Sequence, residues 1–338
     1  MWVLLLQTVL GFYLYPVSAN IEDVHLTISQ ILTKYGYPSE VHYVTTSDGY
    51  ILALHRIPHG KNSTTSNKPV LVLHGIFFSS KHYVVVEVEH DLGYVLADQG
   101  YDVWLGDNHH KRAHTWLPQG TYFLHRYVHP SRYNAKVKAT WVGTWRLSLK
   151  ANPLRALAPW NVVLNTFLKV FNTDEIPPPS FTIPKTVTCR VSPFVCNQLL
   201  ISMFGYKRSG VNSTTFKIFL QTAPVPISRK QGIHVFQLMK SGYFRRYDFG
   251  RNNVKVYGTS TPPAFNLSSV TAKNHLFYSD NDNIVTNVEI DRLCEELGGA
   301  CTEKRLISEG TITHMDWVFG TGVRGLVYSK LVNVLANY

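Results

Sequence analysis

Two apolar runs that each stop at glycine constrain this chain most. Residues 69–74, PVLVLH, are continuously apolar and end at Gly75; Asp102 to Leu105 form a second run ending at Gly106-Asp107. A strand covered on both faces has no polar side to present, so it reads as an unbroken hydrophobic stretch rather than an alternation. The segment between the runs, around residues 82–98 and closed by Gly100, has the length of a crossover helix. Strand, helix and strand in that order predict an α/β fold built on a doubly wound, mostly parallel sheet, with residues 69–74 as a central strand.

Flanking segments fit the same architecture. EVHYVTTSDGYILALHRIP predicts a β-hairpin, with Val41, Tyr43 and Thr45 facing Ile51, Leu52, Leu54 and Ile57 across Ser47-Asp48-Gly49. From about Trp145 to Gly250 the pattern changes to short apolar segments and the run Ile176-Pro177-Pro178-Pro179, which predicts an inserted, largely helical cap. Sheet texture then returns, with a strand over 275–278, a helix over 287–297 and a strand over 304–307. One amphipathic closing helix is expected from Asp316 to Asn337. The expected organisation is a leader over residues 1–19, core over 20–144 and 251–338, and a cap or lid over 145–250.

The 338 residues suffice for one such domain. With 45% hydrophobic and 16% charged residues the chain is a core-rich globule rather than a disordered one. Its net charge of +11 is scattered, without a consecutive Lys/Arg block, so a solvated basic surface is expected and a nucleic-acid partner is not.

MWVLLLQTVLGFYLYPVSA reads as a signal peptide cut after Ala19, because Tyr15, Pro16 and Ser18 interrupt the apolar run before it can span a bilayer. Sequons at Asn62, Asn212 and Asn266 agree with an exported glycoprotein, secreted or lysosomal. The cysteines fall as two local pairs, Cys189/Cys196 and Cys294/Cys301. Each pair can close a short loop in an oxidising compartment, and four buried thiols are the alternative. No His/Cys spacing matches a zinc site, and neither a metal nor an organic cofactor is expected.

Two titratable groups fall just past strand ends, where α/β sheets place their sites. Asp282 lies in YSDNDN after the 275–278 strand, and His314 lies in TITHMDW before the closing helix. A carboxylate followed by a histidine in this order matches the Asp…His half of a hydrolase triad. Singly, Asp280 and Asp282 also suit ordinary turns. The His74-Gly75-Ile76 turn is the second constellation, since a backbone N–H in such a loop supplies half of an oxyanion hole, here from Ile76.

HLTISQILTKYGYPSEVHYVTTSDGYILALHRIPHG, VLVLHGIFFSS and LADQGYDVWLGDN resemble the amino-terminal half of the acid lipases, the group of gastric and lysosomal acid lipases and their insect relatives. RYNAKV, RALAP, KSGYFRRYDFGRNNVKVYGTSTPPAFNLSSV, FYSDND and ITHMDWVFG resemble the carboxy-terminal half. The resemblance implies an α/β-hydrolase fold with a helical cap and lid. It further implies hydrolysis of triacylglycerol or cholesteryl esters at a lipid–water interface, with neutral lipid esters or fatty acids as partners. It places Asp282 at the acid position, His314 at the base position and Ile76 at an oxyanion position.

The pattern breaks at the nucleophile. No Gly-x-Ser-x-Gly occurs, and Trp116-Leu117-Pro118-Gln119-Gly120-Thr121 resembles the family's His-Ser-Gln-Gly-Thr string with Pro118 where the serine belongs. Proline has no hydroxyl, and its fixed φ cannot adopt the strained turn. Gln119, following that position, is the expected second oxyanion donor. From Asp107 to Pro118 there are 118 − 107 = 11 steps. A parallel crossover takes about a dozen residues and the strand roughly five more, so the central nucleophile strand and its preceding helix are expected to be missing.

Three explanations follow. The favoured one is a gene-model or splicing defect in a locus encoding an active lipase. The second is a secreted, non-catalytic lipid-binding pseudo-lipase. The third is attack by another residue such as Thr121 or Ser131, neither of which anything places on an elbow. The chain as written is expected to be inactive.

Overall fold

The computed structural model describes residues 19–45, 51–62, 68–87, 90–107, 139–141, 165–166, 175–176, 213–282, 284–307, 312–320 and 322–338. The expected leader up to residue 18, Pro118, Gln119, Asn212, Cys189, Cys196 and most of the expected cap lie outside these residues.

A 3-10 helix over Ala19–His25 precedes helix α1 (Ile28–Lys34), which is started by a reciprocal cap. Thr27 Oγ1 accepts the Gln30 N–H at 3.2 Å while the Gln30 side chain accepts the Thr27 N–H at 2.8 Å. Ile28, Ile31 and Leu32 recur at helical spacing and are buried. Strands β1 (Glu40–Thr45) and β2 (Ile51–Ile57) then form the expected hairpin, in register from Glu40↔Arg56 to Thr45↔Ile51.

Strand β3 (Pro69–Leu73) leads through helix α2 (Leu92–Asp98) to strand β4 (Asp102–Gly106), parallel to β3. The crossover packs closely because Gly93 lies on the Tyr83 backbone; a Cβ there would stand 2.8 Å from the Tyr83 carbonyl oxygen. The four strands form one sheet in the order β1-β2-β4-β3. Strand β5 (Ala139–Trp141) belongs to a separate sheet described below, and β6 (Glu175–Ile176) with β7 (Ile227–Ser228) makes a short antiparallel ribbon. Around that ribbon lie helices α3 (Ser213–Thr222) and α4 (Arg229–Ser241), followed by α5 (Asn253–Tyr257).

The second sheet has the order β5-β8-β9, with β8 (Lys273–Tyr278) and β9 (Cys301–Leu306) and all pairings parallel. Helix α6 (Asn287–Leu297) is the crossover between β8 and β9, over the residues expected for it. A disulfide joins Cys294 on α6 to Cys301 at the start of β9, with 5.2 Å between the Cα atoms, so one of the two local pairs is bonded. The two sheets share a core in which Val72, Val103 and Leu105 belong to the same buried cluster as Phe277, Ile307 and Phe319.

Two expectations need correction. Residues 69–74 do not form a central strand: among the described residues β3 pairs only with β4, on one side. Leu71 is consequently 48% exposed, although β4 beside it is largely buried as an interior strand should be. The apolar composition of β3 suits two neighbours, and among the described residues it has one. The closing helix is also not continuous. Helix α7 (Asp316–Phe319) stops at Gly320, where a Cβ would lie 2.6 Å from the Asp316 carbonyl, and Gly322 takes φ +89°. The chain resumes as a wide turn over Arg324–Tyr328 that runs into helix α8 (Ser329–Leu335).

Candidate active site

Strand β8 ends at Tyr278, and the next four residues turn sharply enough for the Asp282 N–H to reach the Ser279 carbonyl at 3.3 Å. The turn is tied to the loop that carries His314, because Ser279 Oγ donates to the Ile312 carbonyl at 2.7 Å. On the opposite side, Asp316 Oδ2 accepts both the N–H and the hydroxyl of Thr313 at 2.7 Å, which fixes the backbone immediately before His314. Two loops separated by more than thirty residues are thus locked to each other.

The locking brings Asp282 and His314 together. His314 Nδ1 stands 3.0 Å from Asp282 Oδ2. Oδ1 of the same carboxylate accepts the N–H groups of Ile284 and Val285, each at 2.9 Å, and Oδ2 also takes the Trp317 indole N–H at 3.2 Å. Four donors meet the roughly four acceptor sites of an ionised carboxylate, so this buried group is fully satisfied. Burial would raise the Asp282 pKa. The facing His314 and the Val285 and Ile284 N–H groups outweigh it and hold the carboxyl below its ordinary value. An ionised acceptor at Oδ2 assigns the Nδ1 proton to His314 and leaves Nε2 as the basic nitrogen. The His314 side chain keeps 28% exposure, enough for that nitrogen to meet a ligand. Asp280, the other acid of the YSDNDN run, is exposed and accepts from Asn287 Nδ2 at 2.6 Å, so it is the ordinary turn residue of the two.

The loop after β3 is held differently. Asp107, at the end of β4, accepts the Ser80 N–H at 2.9 Å and the Ser80 hydroxyl at 2.6 Å; His55 Nε2 stands 3.4 Å from its other oxygen. Burial pushes the Asp107 pKa up, but these donors overcome it and keep the group strongly acidic. His82 closes the far end. Its Nδ1 accepts the Ser79 N–H at 3.0 Å, so Nε2 carries the proton and donates to Thr222 Oγ1 at 3.1 Å. Burial lowers the His82 pKa to about 4, in keeping with that neutral tautomer. Between these anchors Phe77 adopts φ +64°, a conformation unfavourable for a residue with a Cβ, and its carbonyl accepts the Val225 N–H at 2.7 Å. Among the described residues no backbone hydrogen bond uses the N–H of Ile76.

Aromatic packing joins this loop to the His314 loop. Phe319 on α7 meets Phe78 and His82 at ring distances of 5.8 and 5.6 Å, and Phe219 from α3 closes on it at 5.3 Å. Sequence reading missed Trp317, Asp107 and Ser80. Trp317 was findable, because a helical residue three positions past His314 returns to the same side of its turn. Asp107 and Ser80 meet only through the parallel pairing of β3 and β4, which no local pattern reveals.

Residues 28–87 match the family model described as a partial alpha/beta-hydrolase lipase region. The chain is 29% identical to Lipase 1 of Drosophila melanogaster, over 94% of this chain and 81% of that protein. It is 25% identical to gastric triacylglycerol lipase of Rattus norvegicus and 26% identical to Lipase member K of Homo sapiens. Those alignments cover all of this chain, with 100% and 97% of the two relatives. The rat alignment runs over 400 positions and this chain has 338 residues, so at least 400 − 338 = 62 of those positions have no residue here.

Proposed function

From the premise that this chain is a relative of the acid lipases over most of its length, we propose that it derives from a lipid ester hydrolase working through a serine acyl-enzyme and is itself inactive as written. The observation that carries the first half is the Asp282–His314 pair, with four donors on the carboxylate and His314 Nε2 left basic. In that chemistry His314 removes the proton of a serine hydroxyl as it attacks the ester carbonyl, then returns it to the leaving alcohol. Asp282 positions the imidazole and stabilises its cation. The N–H groups of Ile76 and Gln119 hold the oxyanion, and water releases the fatty acid in the second half-reaction.

The second half rests on what stands at the nucleophile. Pro118 offers neither a hydroxyl nor the backbone of a strained elbow. Support for a lost segment, rather than one lost residue, comes from three independent features. The span from Asp107 to Pro118 is too short for a helix and a strand. β3 has an apolar sequence but, among the described residues, a partner on one side only, with Leu71 exposed. The relatives also carry positions that this chain lacks. A gene-model or splicing defect accounts for all three. Translating the genomic DNA between the codons for Asn108 and Gln119 tests it, and an in-frame exon encoding Gly-His-Ser-Gln-Gly is the expected result.

Expressed as written, the chain is expected to leave a short-chain chromogenic ester intact. Turnover that a His314→Ala change abolishes would refute the inactivity. The apolar stretch read as a leader, the disulfide between Cys294 and Cys301, and the exposed sequon asparagines Asn62 and Asn266 support export and glycosylation. A mass shift removed by an N-glycosidase, and reduced by one glycan with Asn266→Gln, tests that part.

A further inference from the structure

Residues 229–258 hold seven Lys and Arg against one acidic residue, Asp248, a local balance of 7 − 1 = +6 within a chain of net +11. Asp248 is itself exposed, but its Oδ1 is engaged locally, accepting the Gly250 N–H at 2.8 Å and Asn253 Nδ2 at 2.7 Å. Asn253, buried, also donates to the Ser260 carbonyl at 2.9 Å and accepts the Phe249 N–H at 2.8 Å. That one plug pins α5 by its inner side. Beside it the rings of Tyr247, Phe249 and Tyr257 pack together, Tyr247 edge-on to Phe249 at 4.9 Å and Phe249 tilted against Tyr257 at 5.8 Å.

The outer side of α5 is unusual. Val254 is 59% exposed and Val256 50%, with Lys255 between them and Arg251 and Arg246 also exposed. Valine is a poor helix former and gains nothing from water, so neither local propensity nor packing explains two exposed valines on a five-residue helix. Tyr243 is exposed as well, with the Arg245 and Arg292 guanidiniums at 4.4 and 5.5 Å from its ring.

We propose that this surface, α5 with Arg246 and Arg251, docks the protein on an anionic lipid bilayer. Small apolar side chains enter the headgroup boundary while the cations around them meet lipid phosphates and carboxylates. Dispersed cations between valines fit a fluid interface better than a nucleic acid, whose recognition calls for base stacking or groove contacts. The choice of lipid over another polyanion rests on the lipase reading. Docking itself requires no hydrolysis, so the two can fail separately.

The test is flotation of the full chain with vesicles of phosphatidylcholine alone and of phosphatidylcholine with one-quarter phosphatidylserine, at low and at physiological salt. Binding is expected to the anionic vesicles, weakening with salt, and each cation removed lowers partitioning about fivefold. Arg251→Glu with Lys255→Glu is expected to abolish it, and Val254→Ser with Val256→Ser to reduce it at least several-fold. The milder Lys255→Gln covers the case in which charge reversal disturbs folding, which thermal melts report. Arg324→Glu, an exposed cation elsewhere, and His314→Ala are expected to leave docking unchanged. Equal binding to both vesicle types, no binding to either, retention on heparin without vesicle binding, or indifference to the α5 changes overturns the proposal.

Discussion

Trp317 gives its indole N–H to Asp282 Oδ2 at 3.2 Å, the same oxygen that receives His314 Nδ1 at 3.0 Å. The carboxylate is therefore held in position by a second ring that has no part in proton transfer. Trp317→Phe keeps most of the volume and removes the donor, leaving a buried charge with one hydrogen bond fewer. Hydrogen bonds to charged groups are worth about 1.5–3 kcal/mol, so a loss of about 2 kcal/mol is expected in urea unfolding. A variant as stable as the parent would mean that the indole only fills space.

Acid should act on the same carboxylate. Asp282 is held below its ordinary carboxylate value, so between the two pKa values the unfolded chain binds more protons than the native one. Its stabilisation is present above the unfolded value, about 3.9, and is lost as pH falls through the lower folded value. Asp107 is shifted the same way and adds the same sign. Removing the group as Asp282→Asn is expected to lower the urea midpoint clearly at pH 7 and by progressively less as pH falls below the ordinary carboxylate value. A gap that stays constant or widens on acidification would contradict the assignment.

The elements that the sequence foretold are those whose reasons are local. The hairpin follows from alternation around a Ser-Asp-Gly turn, α6 from helical spacing between two strands, and the Asp282–His314 pair from the order of two loops past strand ends. The misreadings lie where neighbours decide. PVLVL is apolar enough for the middle of a sheet, but only an adjacent strand can make it central. Gly320 and Gly322 interrupt an otherwise helical hydrophobic pattern, because amphipathic spacing does not register a close approach to the Asp316 backbone. The clamp of Asp107 on Ser80 is invisible until parallel pairing brings the end of β4 under the loop after β3.

Among the described residues the outer edge of β3 has no partner strand. An unpaired apolar strand without charge is a template for another chain. Leu71 is half exposed on it, beside the Leu54 and Leu73 side chains that converge over Gly106. Leu71→Lys is expected to raise the monomer fraction in light scattering after size exclusion, at a stability cost of about 1 kcal/mol or less. If the parent is already monomeric at high concentration, the edge is covered and the argument fails.

A repair experiment separates loss of one residue from loss of a segment. If the proposed loss of a segment holds, Pro118→Ser restores a hydroxyl but neither the strand that would carry it nor the crossover helix before it, so this change alone is expected to give no ester turnover. Replacing residues 109–118 with the corresponding helix, strand and Gly-His-Ser elbow of a relative supplies all of them. It also gives β3 the neighbour that its sequence is suited to. That chimera is expected to hydrolyse a short-chain ester, and His314→Ala within it to cut the rate by about a thousandfold or more, because base and nucleophile act as a unit. Asp282→Asn should fall in the same direction with the fold intact. Activity from Pro118→Ser alone would show that the elbow is present and that the missing segment was misplaced. A folded chimera without activity would instead break the link between the Asp282–His314 pair and ester chemistry.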